Sequence, residues 1–422
     1  GALTEYLGFE MLDGEYKVMG LAPYGQPKYA QAILDHLLDL KPDGSFHLDM
    51  SYFDYCTGLT MTSAKFHDLF GATPRTPEQP LTQREMDLAA SVQAVTEEAM
   101  LRLVRAAVRK TGISDVCLAG GVALNCVGNG KVLRDGAARN LWIQPAAGDA
   151  GGALGAALAG HYLHLGQTRQ VRKPDAMGGS YLGPEFAQAD IERRLAAAGA
   201  VFTVLADDGL FDACAQGLAD EKALGWFQGR MEFGPRALGG RSILGDPRSP
   251  RMQSTLNLKV KYRESFRPFA PSVLREHVTG WFDLDGDSPY MLLVADVVQN
   301  RRKAMTEAEQ DLFGIDKLKV PRSDIPAVTH VDYSARIQTV HRETNPRYHR
   351  LIYRFNELTG CPVVVNTSFN VRGEPIVCTP EDAFRCFMGT EIELLAVGNC
   401  LLRKEEQNPA LKLDYTSRFE LD

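Results

Sequence analysis

The sequence predicts an α/β protein of two domains, and three observations lead there. At 422 residues the chain is too long to close around a single hydrophobic core. A strand, a glycine turn and a helix follow one another twice between residues 115 and 160. A polar, glycine-flanked segment without periodicity, 166–179, then separates that pair from a second series of alternating helices and strands. The expected domains are therefore 1–170 and 171–422.

Hydrophobic content of 45% with 39 Gly is ordinary for such a protein. The eight cysteines show no CxxC spacing and sit mostly in apolar runs, which favours buried, reduced thiols over disulfides or a zinc site. No apolar run approaches the ~20 residues that span a bilayer, and no signal peptide opens the chain. A cytoplasmic location is the expectation. The chain begins Gly-Ala-Leu-Thr without an initiator Met, as a fragment with an upstream natural N-terminus would.

Taken in order, residues 14–25 (GEYKVMGLAPYG) read as a tight segment ending in a Pro-Tyr-Gly turn. Lys17 and Gly20 fit either a buried turn or the wall of a cleft. Residues 41–80, Pro-rich toward their end, read as irregular surface structure. A helix then starts at a capping box, Thr82 with Glu85. Val92, Val95, Ala99, Leu103 and Ala106 follow at steps of three and four, an apolar stripe running to Gly112.

Residues 115–125 (DVCLAGGVALN) form an apolar strand, paired glycines and the start of a helix. Glycines there remove the Cβ atoms that would block a nucleotide and expose N–H groups to phosphate or ribose oxygens. Residues 141–160 repeat the pattern with Asp149 at the turn. That carboxylate fits a helix N-cap or a metal ligand in the crevice at the strand ends. His161 and His164 close this helix as dipole partners rather than ligands. The second half predicts a helix near 186–198, a strand at 201–205, a helix at 209–222 and strands at 223–227, 271–274 and 290–298, followed by a charged segment, 299–325.

The basic stretch 228–271 carries the chemistry. Nine Arg and Lys face three acids there, in a chain whose net charge is -7. Arg predominates and sits among Gly, Pro and Phe, residues that make bends and walls, whereas a solvated basic face would carry Lys at helical spacing. Arg presents a planar fork of donors that matches phosphate or carboxylate two bonds at a time. A small-anion pocket is the favoured reading, an ion-pair network the alternative; nucleic acid ranks third because the rest of the chain is acidic. Two polar clusters in strand-rich surroundings suit the same ligand: 332–338, which holds Arg336, and 361–370, where an apolar strand opens onto Asn366, Ser368 and Asn370.

Together the segments EYKVMGLAPYG, LAGGVALN, GDAGGALGAAL, GRMEFGPRALGGRSILGDPR, KYRESFRPFAP, SARIQTV and VNTSFNVRGEPIVCTPEDA resemble the O-carbamoyltransferases of the nodulation, cephamycin and tobramycin pathways. They recur in order over essentially the whole chain. The resemblance implies an actin-like (ASKHA-type) ATPase domain, here partial, followed by a YrdC-like α/β domain. It implies that carbamoyl phosphate and ATP, with Mg2+, give carbamoyl adenylate and pyrophosphate, and that the carbamoyl group then passes to a hydroxyl of a small-molecule acceptor beside an iron-type metal (Fe2+).

Carried onto this sequence, Arg230, Glu232, Lys261, Arg263 and Arg336 become the candidate catalytic residues. Arg236, Arg241, Arg267, Asn366 and Ser368 become candidates for binding carbamoyl phosphate and ATP. Gly120, Gly121 and Asn125 match the nucleotide turn of the actin-like domain, and Asp149 its last metal ligand. The family also carries His-His-x-Ala-His-Ala and Asp-Gly-x-Gly-Glu segments that supply the other metal ligands, and neither is in this sequence. An intact YrdC-like domain with an incomplete transfer site is therefore expected. The rival reading is a non-catalytic YrdC-like module that binds nucleotide or RNA. The oligomeric state leaves no signal.

Overall fold

A computed structural model describes residues 1–415 apart from Glu78, Pro174, Glu264, Ser265 and Asp311. The chain opens with short helices α1 (Ala2–Tyr6), α2 (Glu15–Leu21) and α3 (Ala30–Ala32). The segment expected to be a tight turn is thus mostly helix, and only Ala22–Tyr24 tightens into a 3-10 turn. Lys17 is buried in α2. The region expected to be irregular, 41–80, holds β2 (Phe46–Leu48), which pairs in a hairpin with β1 (Leu38–Leu40) just before it, and helix α4 (Ala64–Phe70). α4 escaped the sequence because only two aromatics, Phe66 and Phe70, mark its buried side; both pack with Tyr6 in the core of this half.

α5 (Gln83–Thr111) starts where the capping box places it. Thr82 N–H donates to the Glu85 carboxylate at 2.9 Å, and Gly112 ends the helix in the left-handed region at φ 71°. The expected stripe needs correction at its far end, where Leu103 is 46% exposed while Met100 and Val104 are buried. The first two turns of α5 are enclosed almost all round, so its buried side is set by neighbours on several sides rather than by one face. Met86, Leu88 and Ala89 meet the N-terminal core, whereas Met100 and Val104 meet Val132 of the next helix.

β3 (Asp115–Leu118), α6 (Cys126–Asp135), β4 (Asn140–Ile143) and α7 (Asp149–Ala159) follow as the double strand-turn-helix pattern. β3 and β4 pair in parallel, with Asp115 opposite Asn140.

The second half contains α8 (Gln188–Ala197), β5 (Thr203–Val204), α9 (Asp207–Ala219), β6 (Leu224–Phe227), β7 (Arg241–Gly245), α10 (Met252–Thr255), β8 (Ala270–Leu274), β9 (Leu293–Asp296) and α11 (Glu307–Gln310). It continues through β10 (Ser334–Val340), α12 (Pro346–Thr359), β11 (Val363–Ser368), α13 (Pro380–Gly389), β12 (Leu394–Val397) and β13 (Cys400–Arg403). Among the described residues these strands form one nine-stranded mixed sheet in the order β5-β13-β12-β6-β7-β11-β8-β10-β9. β6 with β12 and β8 with β10 run parallel, and the other neighbours antiparallel. β6, β7, β8 and β12 are buried at every position, as strands covered on both faces are.

The two halves meet along α6. Asn129 Nδ2 donates to Leu292 O at 3.0 Å and Arg134 to Val294 O at 2.8 Å, so α6 lies along the edge strand β9. A Cβ at Gly130 would stand 2.3 Å from Val294 O, which explains the glycine. Ala123, Ile143 and Ala147 join the core of the large sheet. All eight cysteines are free; five are buried, Cys378 is half-buried, and Cys56 and Cys117 are exposed. Among the described residues no helix is long and apolar enough to cross a membrane.

Candidate anion-binding site

The connection from β6 to β7, residues 228–240, carries Arg230, Glu232 and Arg236. It is folded by its own polar groups. Glu232 is buried, and its Oε1 accepts the N–H groups of Leu238 (2.6 Å), Gly240 (2.7 Å) and Arg241 (3.3 Å). Gly239 sits at φ 103°, and a Cβ there would fall 2.2 Å from the Tyr348 ring, so no other residue closes this turn.

The structure sorts the expected basic residues into three groups. Arg236, Arg267 and Arg336 converge where α2 and the start of α6 meet the large sheet. The Arg267 guanidinium lies 4.7 Å over the Tyr16 ring, and the fields of Arg236 and Arg336 both include Cys126, the first residue of α6. Burial, and after it the neighbouring Arg336, bring Arg236 down to about 9 from 12.5. Arg336 is lowered too, by burial first and by Arg267 as well. Among the described residues no carboxylate pairs with Arg236 or Arg336, and Arg236 Nε is buried without a hydrogen-bond partner. Both arginines are half-buried, and like charges held together with a donor unused suit an anion of more than one negative charge.

Lys261 and Arg263 form the second group, beside the open end of β11. The Lys261 ammonium is buried and donates to Ser368 O (2.5 Å), Ser368 Oγ (3.1 Å), Asn370 O (2.8 Å) and Asn370 Oδ1 (2.7 Å). Burial first, then Arg263, hold it well below the usual lysine value. Arg263 donates to Asn257 Oδ1 at 2.8 Å and lies 4.6 Å over Phe269. Lys261 also feels Arg267, so the first two groups adjoin.

The third group is turned elsewhere. Arg241, fully buried, donates to the carbonyls of Gln228, Gly229, Gly240 and Pro184 and stacks 3.5 Å over Phe227. Arg230 is exposed and reaches Gly183 O and Glu185. Asn366 is buried on β11 with its Nδ2 committed to Ala237 O, Ser272 Oγ and Gln338 Oε1, while its Oδ1 has no partner.

In the first half, the turn after β3 holds Gly120 at φ 96°, and Cβ atoms built at Gly120 and Gly121 meet nothing within 4 Å. That open surface suits close approach of a ligand. Gly120 N–H donates to Ala147 O at 2.8 Å, tying this turn to its repeat. Asn125 caps α6 by accepting from Gly128 N–H at 3.0 Å and exchanges hydrogen bonds with Gln93. Asp149 opens α7 on the exposed surface, and among the described residues no three His, Cys, Asp or Glu side chains are grouped to hold a metal. The residues present do not by themselves fit an iron-type metal.

Sequence reasoning missed Tyr16, Cys126 and Gln338. Tyr16, beside Lys17, and Gln338, two residues beyond Arg336, lie inside segments already singled out, and Cys126 directly follows one. Only the fold shows that α2 and α6 reach the arginines of the other half.

Residues 1–158 match a family model described as Carbamoyltransferase N-terminus, and residues 215–404 one described as Carbamoyltransferase C-terminus. The chain is 61% identical to an uncharacterized protein of Synechocystis sp., over 100% of this chain and 69% of that one. It is 39% identical to nodulation protein NolO of Bradyrhizobium diazoefficiens, over 98% of this chain and 69% of the relative. It is also 39% identical to nodulation protein NolNO of Sinorhizobium fredii, over 96% of this chain and 55% of the relative. The chain belongs to the carbamoyltransferase family.

Proposed function

We propose that the protein acts as an ATP-dependent O-carbamoyltransferase. Water cleaves carbamoyl phosphate to carbamate and inorganic phosphate, and a carbamate oxygen then attacks the α-phosphorus of ATP, giving carbamoyl adenylate and expelling pyrophosphate. The carbamoyl carbon then passes to a hydroxyl of a sugar or other small natural product, and AMP leaves. In this reading residues 171–422 are a YrdC-like domain that binds carbamoyl phosphate and ATP, and residues 1–170 belong to an actin-like transfer domain. Mg2+ accompanies ATP as part of the substrate.

The observation that carries the proposal is the convergence of Arg236 and Arg336, without a carboxylate partner for either, beside Arg267. Two phosphorylated substrates repel one another, and bringing them together needs fixed positive charge in a dry site. The test is pyrophosphate release from ATP with and without carbamoyl phosphate, in the wild type and in Arg263→Ala and Arg336→Ala. Release that depends on carbamoyl phosphate and falls at least tenfold in the variants is expected. Release indifferent to carbamoyl phosphate, or to both substitutions, would sink the reading.

A further inference from the structure

Arg236 and Arg336 come from different places, a loop and strand β10, and repel each other. Something must set their separation when no anion lies between them. Gln338 lies two residues after Arg336 on β10, hence on the same side of the strand, and is buried. Its Nε2 donates to Leu238 O at 2.8 Å, two residues beyond Arg236. Its Oε1 accepts from Ser272 Oγ at 2.6 Å and from Asn366 Nδ2 at 2.9 Å. Asn366 Nδ2 in turn donates to Ala237 O at 3.1 Å, the residue next to Arg236.

We propose that Gln338 is a positioning residue for the anion site. With Ser272 and Asn366 it forms a buried brace that fixes the Arg236 loop against β10 and so sets the spacing of the two guanidinium groups. Other ties of the loop, among them Glu232 within the loop itself, Tyr181 and Trp226 to Leu238 O and Gly239 O, Asn345 to Gly239 O and Ser180 to Phe233 O, end on different elements. Gln338 alone among them shares a strand with Arg336. Asn366 Oδ1 stays unmatched, but the hydrogen bonds that join the three side chains are buried, and losing one member leaves further buried groups unpaired. A preset spacing selects anions whose charged oxygens match it, which makes Gln338 a determinant of specificity as well as of affinity. This inference rests on the reading of Arg236 and Arg336 as the phosphate-binding pair.

The test is calorimetric titration of the whole chain with inorganic pyrophosphate, using Gln338→Met, Arg236→Ala and the double variant. Gln338→Met keeps the side-chain volume and removes the amide. It is expected to weaken binding about tenfold, with no further loss once Arg236 is already Ala, because the brace acts through that arginine. Equal losses in both backgrounds, or none in either, would overturn the inference while the site itself stood. A wild type that does not bind pyrophosphate, or an Arg236→Ala variant that binds as well as wild type, would overturn the site and the brace together. Should Gln338→Met fail to fold, Ser272→Ala keeps the Gln338 amide and removes the hydroxyl that donates to Gln338 Oε1 and accepts from Asn366 Nδ2. It is expected to weaken binding about threefold with the same dependence on Arg236; independence from Arg236 would overturn the inference.

Discussion

Replacing Glu232 by Gln separates two roles for this carboxylate. Its Oε1 receives two short hydrogen bonds, from Leu238 N–H at 2.6 Å and Gly240 N–H at 2.7 Å, and a longer one from Arg241 N–H at 3.3 Å. A hydrogen bond to a charged group contributes roughly 1.5–3 kcal/mol, and one between neutral groups about 0.5–1.5 kcal/mol. Glu232→Gln retains the shape and loses the charge assistance on the two short bonds, so about 2 kcal/mol of stability should go. Glu232→Ala leaves all three N–H groups buried and unmatched and should cost more, roughly 3–6 kcal/mol. Urea denaturation measures both as a fall in midpoint at constant slope. In the pyrophosphate-release assay, Glu232→Gln should raise the KM for carbamoyl phosphate through a loosened Arg236 loop, with kcat largely kept at saturation. The opposite pattern, stability within about 0.5 kcal/mol of wild type and a collapse of kcat, would show the carboxylate acting on the substrates themselves.

Arg336→Ala should lose at least tenfold in pyrophosphate affinity while its thermal unfolding stays close to wild type, since the arginine is held against like charges; calorimetry beside a melting curve checks both. Gly130→Ala places a methyl 2.3 Å from Val294 O and should destabilise the contact of α6 with β9 by about 1–3 kcal/mol, read by denaturation. At Gly121, by contrast, an added methyl meets nothing, so Gly121→Ala should leave stability within about 0.5 kcal/mol, and any loss of ATP binding in a fluorescence titration would then report on the turn as a ligand site. Asp87 gives a pH prediction. Burial opposes its ionisation, but hydrogen bonds from Lys28, Gln26 N–H and Gln83 prevail and hold its carboxyl below the usual range. Its stabilisation is therefore complete above the unfolded value near ~4 and is lost as the pH falls through the lower folded value. Melting temperatures from pH 7 to pH 3 should fall less steeply at the acid end for Asp87→Asn.

Local signals were the most legible. Thr82 and Glu85 mark the start of α5, and the strands at β6, β8 and β11 are short apolar runs whose ends are punctuated by glycines or polar clusters. The strand expected at 201–205 shortens to Thr203–Val204, because it pairs only with two residues of β13 at the sheet's other edge. In the site, the richness in arginine was visible, but which guanidiniums face one another was not. Arg241 and Arg236 stand five residues apart in one basic run, and the Nε of each is buried without a partner, yet Arg241 spends its two terminal nitrogens on four carbonyls whereas Arg236 lies in the field of Arg336. That difference depends on the φ of Gly239 and the reach of α6, and both are properties of the folded chain. Lys261 likewise reads as one cation among many until β11 brings Ser368 and Asn370 beneath it.

The contact of α6 with β9 bears on how the protein can be dissected. β9 is an edge strand of the large sheet, and α6 occupies its Val294 O and the Leu292 O just before it. Expressing residues 171–422 alone would strip that cover and offer bare strand to neighbouring copies, a recipe for insoluble aggregates. Work on the second half in isolation should therefore retain Cys126–Asp135, supplied in cis or as a separate peptide, or place a charged residue on β9 to discourage self-pairing.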